Sequence, residues 1–129
     1  MKRETEEWIK IADEDLQSAE YLLEKSLFRM VCYHAQQSVE KVLKAILTEE
    51  EIEFSRTHNI LDLANAVQQT GHESPLAAED AVFLNSVYRA RYPAALGLLP
   101  AGEPTQEDAE RALHNVREMR GWFKDILPC

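Results

Sequence analysis

The sequence contains few residues that interrupt helices. Only four glycines and five prolines occur among 129 residues, and most of them lie at positions 71–75 or 93–104. The remaining chain can therefore form long helices. No apolar run reaches the roughly 18 residues of a membrane-spanning helix, and the N-terminus, MKRETEEWIK, lacks the apolar segment of a signal peptide. These absences predict a cytoplasmic protein with no membrane segment.

Cysteine and basic residues are also scarce. The two cysteines, Cys32 and Cys129, are too few for a disulfide framework and suit a reducing compartment. No C-x2-C or H-x3-H pair and no glycine-rich phosphate loop occurs, so we expect no metal site and no cofactor. Fourteen basic residues face 23 acidic ones, which gives a net charge of −9. Such a surface repels nucleic-acid phosphates at long range, so RNA binding would need a local basic pocket.

Apolar residues recur at steps of three and four along most of the chain, which predicts amphipathic helices. Helix 1 is expected from about Thr5 to Lys25 and helix 2 from about Leu27 to Thr48. Because the turn between them is very short, the two helices must be antiparallel neighbours. The predicted fold is all-α, an up-down bundle of four long helices plus a short helix, formed by a single domain over residues 1–129.

Capping signals place the remaining helices. Thr57 is predicted to cap a short helix 3 that ends at Gly71, and Ser74-Pro75 is predicted to start helix 4. Helix 4 should end or kink at Pro93, followed by a loop to Pro104. A capping-box sequence at Thr105 then opens helix 5.

Helix 2 carries a second, polar stripe beside its apolar one. Its members are Tyr33, Gln37, Glu40, Lys41 and Lys44. This spacing is typical of a solvated helix face, but it is equally typical of a helix that lines a groove or a symmetric interface. Spacing leaves both interpretations open.

Four segments together resemble the HEPN family (higher eukaryotes and prokaryotes nucleotide-binding domains). The main one is AQQSVEKVLKAIL at Ala35–Leu47, which is similar to the family signature on helix 2. Trp8–Leu16, with the pattern W-x3-A-x2-D-L, resembles the opening of helix 1. His58–Leu63 is similar to the H-x-I/L-x-x-L segment of helix 3, and Arg91–Pro93 to the R-Y-P that closes helix 4 in one bacterial and archaeal branch. The resemblance covers nearly the whole chain.

The resemblance implies a helical bundle that forms a homodimer. Many HEPN members carry an R-x4-6-H motif that makes a metal-independent ribonuclease site across the dimer, and many are encoded beside a minimal nucleotidyltransferase as toxin and antitoxin. Here the three positions where the motif needs histidine after Arg91 hold Leu96, Gly97 and Leu98. Leucine and glycine transfer no proton, so only the arginine of the motif carries over and no catalytic residue is predicted.

The resulting hypothesis is a non-catalytic HEPN protein that binds a nucleotide or a partner, with a nucleotidyltransferase as the expected partner protein. The candidate ligand or interface residues are Tyr33, His34, Gln37, Lys41, Lys44, Arg89, Arg91 and Tyr92. One alternative is a ribonuclease with a rearranged site that uses His34 or His58 with Arg91. The other is a structural dimer or adaptor, in which the polar stripe serves only self-association.

Several polar residues have two interpretations. His34 lies beside the apolar stripe of helix 2, so it faces either a groove or a helix contact, whereas His58 is interpreted as a capping or packing residue. Arg117 and Arg120 are one turn apart on helix 5. They either form an anion pocket with Arg91 or make ordinary salt bridges with the acidic surface.

Overall fold

The computed structural model describes residues 1–89 and 103–127, and within these ranges the chain forms five helices and no strand. The helices are α1 (Arg3–Glu24), α2 (Phe28–Glu49), α3 (Ile60–Gln68), α4 (Ala78–Arg89) and α5 (Gln106–Ile126). The predicted all-α architecture, with α3 as its short helix, is therefore confirmed. None of these helices combines the length and the apolar character needed to cross a membrane.

Helices α1 and α2 form the predicted antiparallel hairpin. Only residues 25–27 separate them, and Ser26 turns the chain with a positive φ of 57°. The hydroxyl of Thr5 donates a hydrogen bond to Glu49 at 2.9 Å, and that of Ser38 donates to the backbone carbonyl of Ala12 at 2.7 Å. Positions early in α1 therefore meet positions late in α2, as an antiparallel pair requires.

Helix α2 is the central element, since it packs against each of the other four helices. Its apolar residues Val39, Leu43 and Ile46 are completely buried, as are Val116 and Met119 of α5. Burial of each such side chain stabilises the fold by about 1.5–3 kcal/mol. Because neighbours surround α2, its polar residues also lie largely in the interior, and this position determines the candidate site.

The start of α3 differs from the prediction. The side chain of Asn59, not that of Thr57, caps the helix by accepting a hydrogen bond from the backbone N–H of Asp62 at 3.2 Å. Thr57 instead accepts from the N–H of Asn59 at 3.0 Å, in a local turn just before the helix. Threonine and asparagine satisfy both kinds of N–H, so the sequence alone does not separate them.

The predicted start of α4 at Pro75 is likewise wrong, because the helix begins at Ala78. The Ser74 hydroxyl accepts from the N–H of Leu76 at 3.1 Å and so makes a turn instead of a helix cap. The capping box at Thr105 is confirmed. The backbone N–H of Asp108 donates to the Thr105 hydroxyl at 3.2 Å, and the backbone N–H of Thr105 donates to the Asp108 carboxylate at 3.0 Å. The predicted kink at Pro93 and most of the loop after it lie outside the described residues.

Candidate functional site

Helix α2 carries ionic groups into the interior of the bundle. Glu40 is completely buried and Lys44 is 7% exposed. One carboxylate oxygen of Glu40 accepts hydrogen bonds from Lys41 Nζ at 2.9 Å and Lys44 Nζ at 3.1 Å, and the other lies 2.7 Å from His58 Nδ1. Gln37 is also buried. This part of the polar stripe is therefore not a solvated face.

Five residues close a ring of hydrogen bonds at this place. Gln36 Nε2 donates to the backbone carbonyl of His58 at 3.0 Å, and Gln37 Nε2 donates to Gln36 Oε1 at 2.7 Å. Lys41 Nζ donates to Gln37 Oε1 at 3.0 Å and also to Glu40, which completes the ring through the imidazole of His58. The ring ties the α2–α3 connection to the side of α2.

The Lys41 ammonium and the backbone carbonyl of His58 determine the direction of the hydrogen bonds between them. A lysine ammonium can only donate and a backbone carbonyl can only accept, so both glutamine amides have one possible orientation. An ionised Glu40 also accepts only, which places the proton of a neutral His58 ring on Nδ1 and its lone pair on Nε2. The His58 side chain is 55% exposed, so this oriented imidazole reaches the surface.

The surroundings of Glu40 keep its carboxyl ionised. Burial alone would raise its pKa, but the hydrogen bond and charge of Lys41, the hydrogen bond of His58 and the charge of Lys44 outweigh burial and lower the pKa below its ordinary value of 4.5. Two lysines against one carboxylate leave a local excess of positive charge in a chain whose net charge is −9. The site thus has the local basic character that the overall charge lacks.

Lys44 contacts two aromatic rings in addition to Glu40. Its ammonium lies 5.6 Å from the ring centroid of Trp8 and 5.9 Å from that of Phe54, and the two rings lie 6.3 Å apart. Cation–π contacts of this kind strengthen as the site is desolvated. Through its contact with Phe54, Lys44 fixes the α2–α3 connection to the buried side of α2. Lys41, with 14% of its side chain exposed, is the lysine nearer to the surface.

A second imidazole is held by a carboxylate on the other side of the stripe. His34 Nδ1 lies 2.9 Å from Asp15 of α1, with 24% and 18% of the two side chains exposed. The ring of Tyr33 meets His34 edge-on at 5.0 Å. Since successive residues turn by about 100°, Gln37 and Lys41 lie on the helix circumference between His34 and the His58 side of α2.

The segment that carries His58 is also fixed to α4. Asn85 Oδ1 accepts from the backbone N–H of Ile60 at 2.8 Å, and Asn85 Nδ2 donates to Asn59 Oδ1 at 3.0 Å. His58 directly precedes this asparagine pair. The backbone of His58 is therefore held between α2 and α4. On α4, Asn85 lies one helical turn before Arg89, the last residue of that helix.

The remaining predicted residues divide into two groups. Arg91 and Tyr92 lie outside the described residues, and for Arg89 only its place in α4 is described. Arg117 pairs with Glu20 at 2.9 Å and Arg120 with Asp13 at 2.6 Å, which supports the salt-bridge interpretation of these two arginines.

Sequence reasoning missed one member of the site, Gln36. His58 was predicted to be a capping or packing residue and was named otherwise only in the ribonuclease alternative, and Glu40 was predicted only as part of the stripe. The spacing of four residues between Gln36 and Glu40, beside an apolar row, is a signal for a second polar row on α2. Among the described residues, no group of three His, Cys, Asp or Glu side chains could hold a metal ion.

Comparisons with known proteins agree on the family and on the fold. The HEPN domain family matches residues 5–126. The chain is 32% identical to a protein of Methanocaldococcus jannaschii named "Putative toxin MJ1304", covering 93% of this chain and 86% of that protein.

Solved structures share the same helical arrangement. TT1696 from Thermus thermophilus superposes with a TM-score of 0.76 at 22% identity, covering 98% of this chain and all of that one. ST0689, described as an archaeal HEPN homologue, gives a TM-score of 0.68 at 26% identity, with 98% of each chain covered. The HEPN domain protein tm0613 from Thermotoga maritima gives 0.67 at 20% identity, with 94% and 97% covered.

Proposed function

The chain belongs to the HEPN domain family, and from this membership we propose that it is a non-catalytic, homodimeric member of a toxin–antitoxin-like pair. It binds a nucleotide at the polar face of α2 and a minimal nucleotidyltransferase as its protein partner. The toxin name carried by its relative in Methanocaldococcus jannaschii supports the type of system. Leu96, Gly97 and Leu98 occupy the positions after Arg91 where a catalytic histidine would lie, and this absence of histidine supports binding without cleavage.

The observation that carries the proposal is the closed hydrogen-bond ring that joins Gln36, Gln37, Glu40, Lys41 and His58. It holds one imidazole and one ammonium in fixed directions near the surface, where the half-buried Lys41 lies beside the buried Lys44. A preorganised set of polar groups binds a ligand without first having to be ordered.

Thermal unfolding with added nucleotide tests the ligand. ATP should raise the Tm of the wild type in proportion to the logarithm of its concentration, because a ligand that binds only the folded state stabilises it. Lys41→Met should reduce this shift, whereas Lys124→Met, at an exposed lysine of α5, should leave it unchanged. Co-purification with the nucleotidyltransferase encoded beside the gene tests the partner. If neither a Tm shift nor a complex is found, the proposal is wrong.

Light scattering tests the homodimer separately. A dimer should have twice the chain mass of 14.8 kDa across the micromolar range. A mass of one chain would contradict the dimer.

A ribonuclease with a rearranged site is the second candidate, and a specific observation favours it. His34 and His58 are each held at Nδ1 by a carboxylate, the arrangement that orients Nε2 as a general base. Such a base would take the proton of an RNA 2′-hydroxyl while Arg91 stabilises the charged phosphorane. Cleavage of RNA in the presence of a chelator by the wild type, lost in His34→Ala or His58→Ala and in Arg91→Ala, would establish this candidate. Cleavage that survives all three changes, or no cleavage, excludes it.

A further inference from the structure

We propose that the α2 site accepts a single phosphate group, so that it selects a free nucleoside monophosphate over the corresponding di- and triphosphate. This inference rests on the proposed binding of a nucleotide at the polar face of α2 and assigns the class of nucleotide. It is carried by the contacts of Lys41 and Lys44 and by the charge of the chain around them.

The first step concerns which of the two lysines touches the ligand. Lys44 is 7% exposed, and its ammonium donates to Glu40 at 3.1 Å. The same ammonium lies against the rings of Trp8 and Phe54, at 5.6 and 5.9 Å from their centroids. Lys44 therefore contributes its charge to the site but no contact. Lys41, with 14% of its side chain exposed, is the lysine that contacts the phosphate.

The second step concerns how many hydrogen bonds Lys41 can add. A lysine ammonium has three N–H donors. Within the described residues Lys41 donates to Gln37 Oε1 at 3.0 Å and to Glu40 Oε2 at 2.9 Å. Gln37 is held in turn by Gln36 at 2.7 Å, so the ammonium is fixed in place. One N–H of Lys41 remains, and it matches one phosphate oxygen.

The third step concerns charge. Two lysines against the carboxylate of Glu40 leave one excess positive charge among these three side chains. Among the described residues, Arg117 and Arg120 are paired with acidic side chains of α1 and do not add to this excess. The whole chain carries −9. The local excess attracts one phosphate, whereas each further phosphate gains no contact and is repelled by the acidic protein.

The same charge balance favours a free nucleotide over RNA. An oligonucleotide carries a negative charge at every linkage, so it brings many charges past an acidic surface for a single contact with Lys41. A phosphate at the end of an RNA strand nevertheless has the chemistry of a mononucleotide phosphate. The experiment therefore includes both.

The experiment compares AMP, ADP and ATP by calorimetric titration of the full chain. Divalent cations are left out, because Mg²⁺ would neutralise the additional phosphates. AMP should bind the wild type about tenfold more tightly than ATP at about 0.01 M salt, with ADP between them. Screening should reduce the difference to about threefold at about 0.15 M salt. A difference that does not change with salt would contradict the role of charge.

Three variants locate the effect. Lys41→Met removes the contact and should weaken AMP binding about tenfold, and unchanged binding by this variant would overturn the inference. Lys124→Met, at an exposed lysine of α5, is the matched control and should bind AMP as the wild type does. Glu40→Gln removes the negative charge of the site, so it should strengthen ATP binding more than AMP binding.

The results separate this inference from the function on which it rests. If ATP binds the wild type as tightly as AMP or more tightly, selection of the monophosphate is overturned while nucleotide binding stands, and this comparison needs no variant to fold. If no nucleotide binds, both proposals fail. A short RNA with a 5′-phosphate and the same RNA with a 5′-hydroxyl form the second arm, and neither should displace AMP. Displacement by the phosphorylated RNA alone would identify an RNA end as the ligand and overturn the assignment of a free nucleotide.

Discussion

The imidazole of His58 and the carboxylate of Glu40 meet at 2.7 Å, although 18 residues separate them along the chain. Only 1% of the Glu40 side chain is exposed, against 55% of that of His58. The pair therefore connects the interior of the bundle with its surface. Changes at the buried end should alter both the stability of the fold and the orientation of the exposed ring.

The Glu40 and Lys44 pair should show strong coupling in a double-mutant cycle. Glu40→Leu alone should lower the free energy of unfolding by about 3–5 kcal/mol, because it leaves the ammonium of Lys44 buried without its carboxylate. Adding Lys44→Met should recover much of that loss. Urea unfolding of the four proteins measures the coupling. Additive effects would show that Lys44 gains nothing from Glu40.

An exposed ion pair provides the comparison for that cycle. Arg117 and Glu20 lie 2.9 Å apart with 56% and 44% of their side chains exposed. Neutralising this pair should change the free energy of unfolding by no more than about 1 kcal/mol, and less in high salt. A loss as large as that of Glu40→Leu would mean that burial is not what distinguishes the two pairs.

Stability should depend on pH through Glu40. Its pKa in the folded protein is below the ordinary 4.5, so the folded state binds this proton less readily than the unfolded state does. The ionised carboxylate therefore stabilises the fold above pH 4.5, and this contribution is lost as the pH falls through the folded-state pKa. The free energies of unfolding of wild type and Glu40→Gln should differ by a constant amount well above pH 4.5 and should converge as the pH falls below 4.5.

Titrating groups that do not contact Glu40 should cancel in that comparison. The pKa of Glu49 is also lowered, mainly by a hydrogen bond from the backbone N–H of Lys2 and then by the hydroxyl of Thr5, but these residues are present in both proteins. A difference between wild type and Glu40→Gln that stays constant over the whole pH range would show that the charge of Glu40 is not what stabilises the fold.

The asparagine pair at the start of α3 should also be coupled. Asn59→Ala removes the helix cap and should lower the free energy of unfolding by about 1 kcal/mol. Asn85→Ala leaves the N–H of the fully buried Ile60 without its acceptor, which should cost about 1–3 kcal/mol. Because the two side chains also bond each other at 3.0 Å, the double variant should lose less than the sum. Strict additivity in denaturant unfolding would contradict this.

Cys32 should be unreactive in the folded protein. It is completely buried, and burial together with the charge of Asp108 raises the pKa of its thiol to about 12. In a Cys129→Ser variant, where Cys32 is the single thiol, a chromogenic disulfide reagent at about pH 8 should release no product from the native protein and one equivalent in denaturant. Rapid reaction of the native variant would show that α2 is accessible to solvent.

Much of the fold was predictable because its signals are local. The spacing of apolar residues in α1, α2 and α5 depends only on the period of the helix, and the capping box of Thr105 spans four residues. The starts of α3 and α4 were missed because Thr57 and Ser74 satisfy backbone groups in turns as readily as in helix caps. The site was predictable only in part, since Gln37 and Lys41 were expected while Gln36 was not.

The primary structure alone therefore specified the helices of this protein, the polar stripe along α2 and the family to which the chain belongs, because periodicity and short motifs are encoded by neighbouring residues. It did not specify that Gln37, Glu40 and Lys44 of the stripe are buried, that Glu40 meets His58, or that Lys44 lies against both Trp8 and Phe54. Those contacts exist because α1 and the α2–α3 connection both pack against α2, and no local pattern encodes which side chains then meet. Packing of the helices thus places the buried Glu40 carboxylate of the polar row against the His58 imidazole and orients that ring.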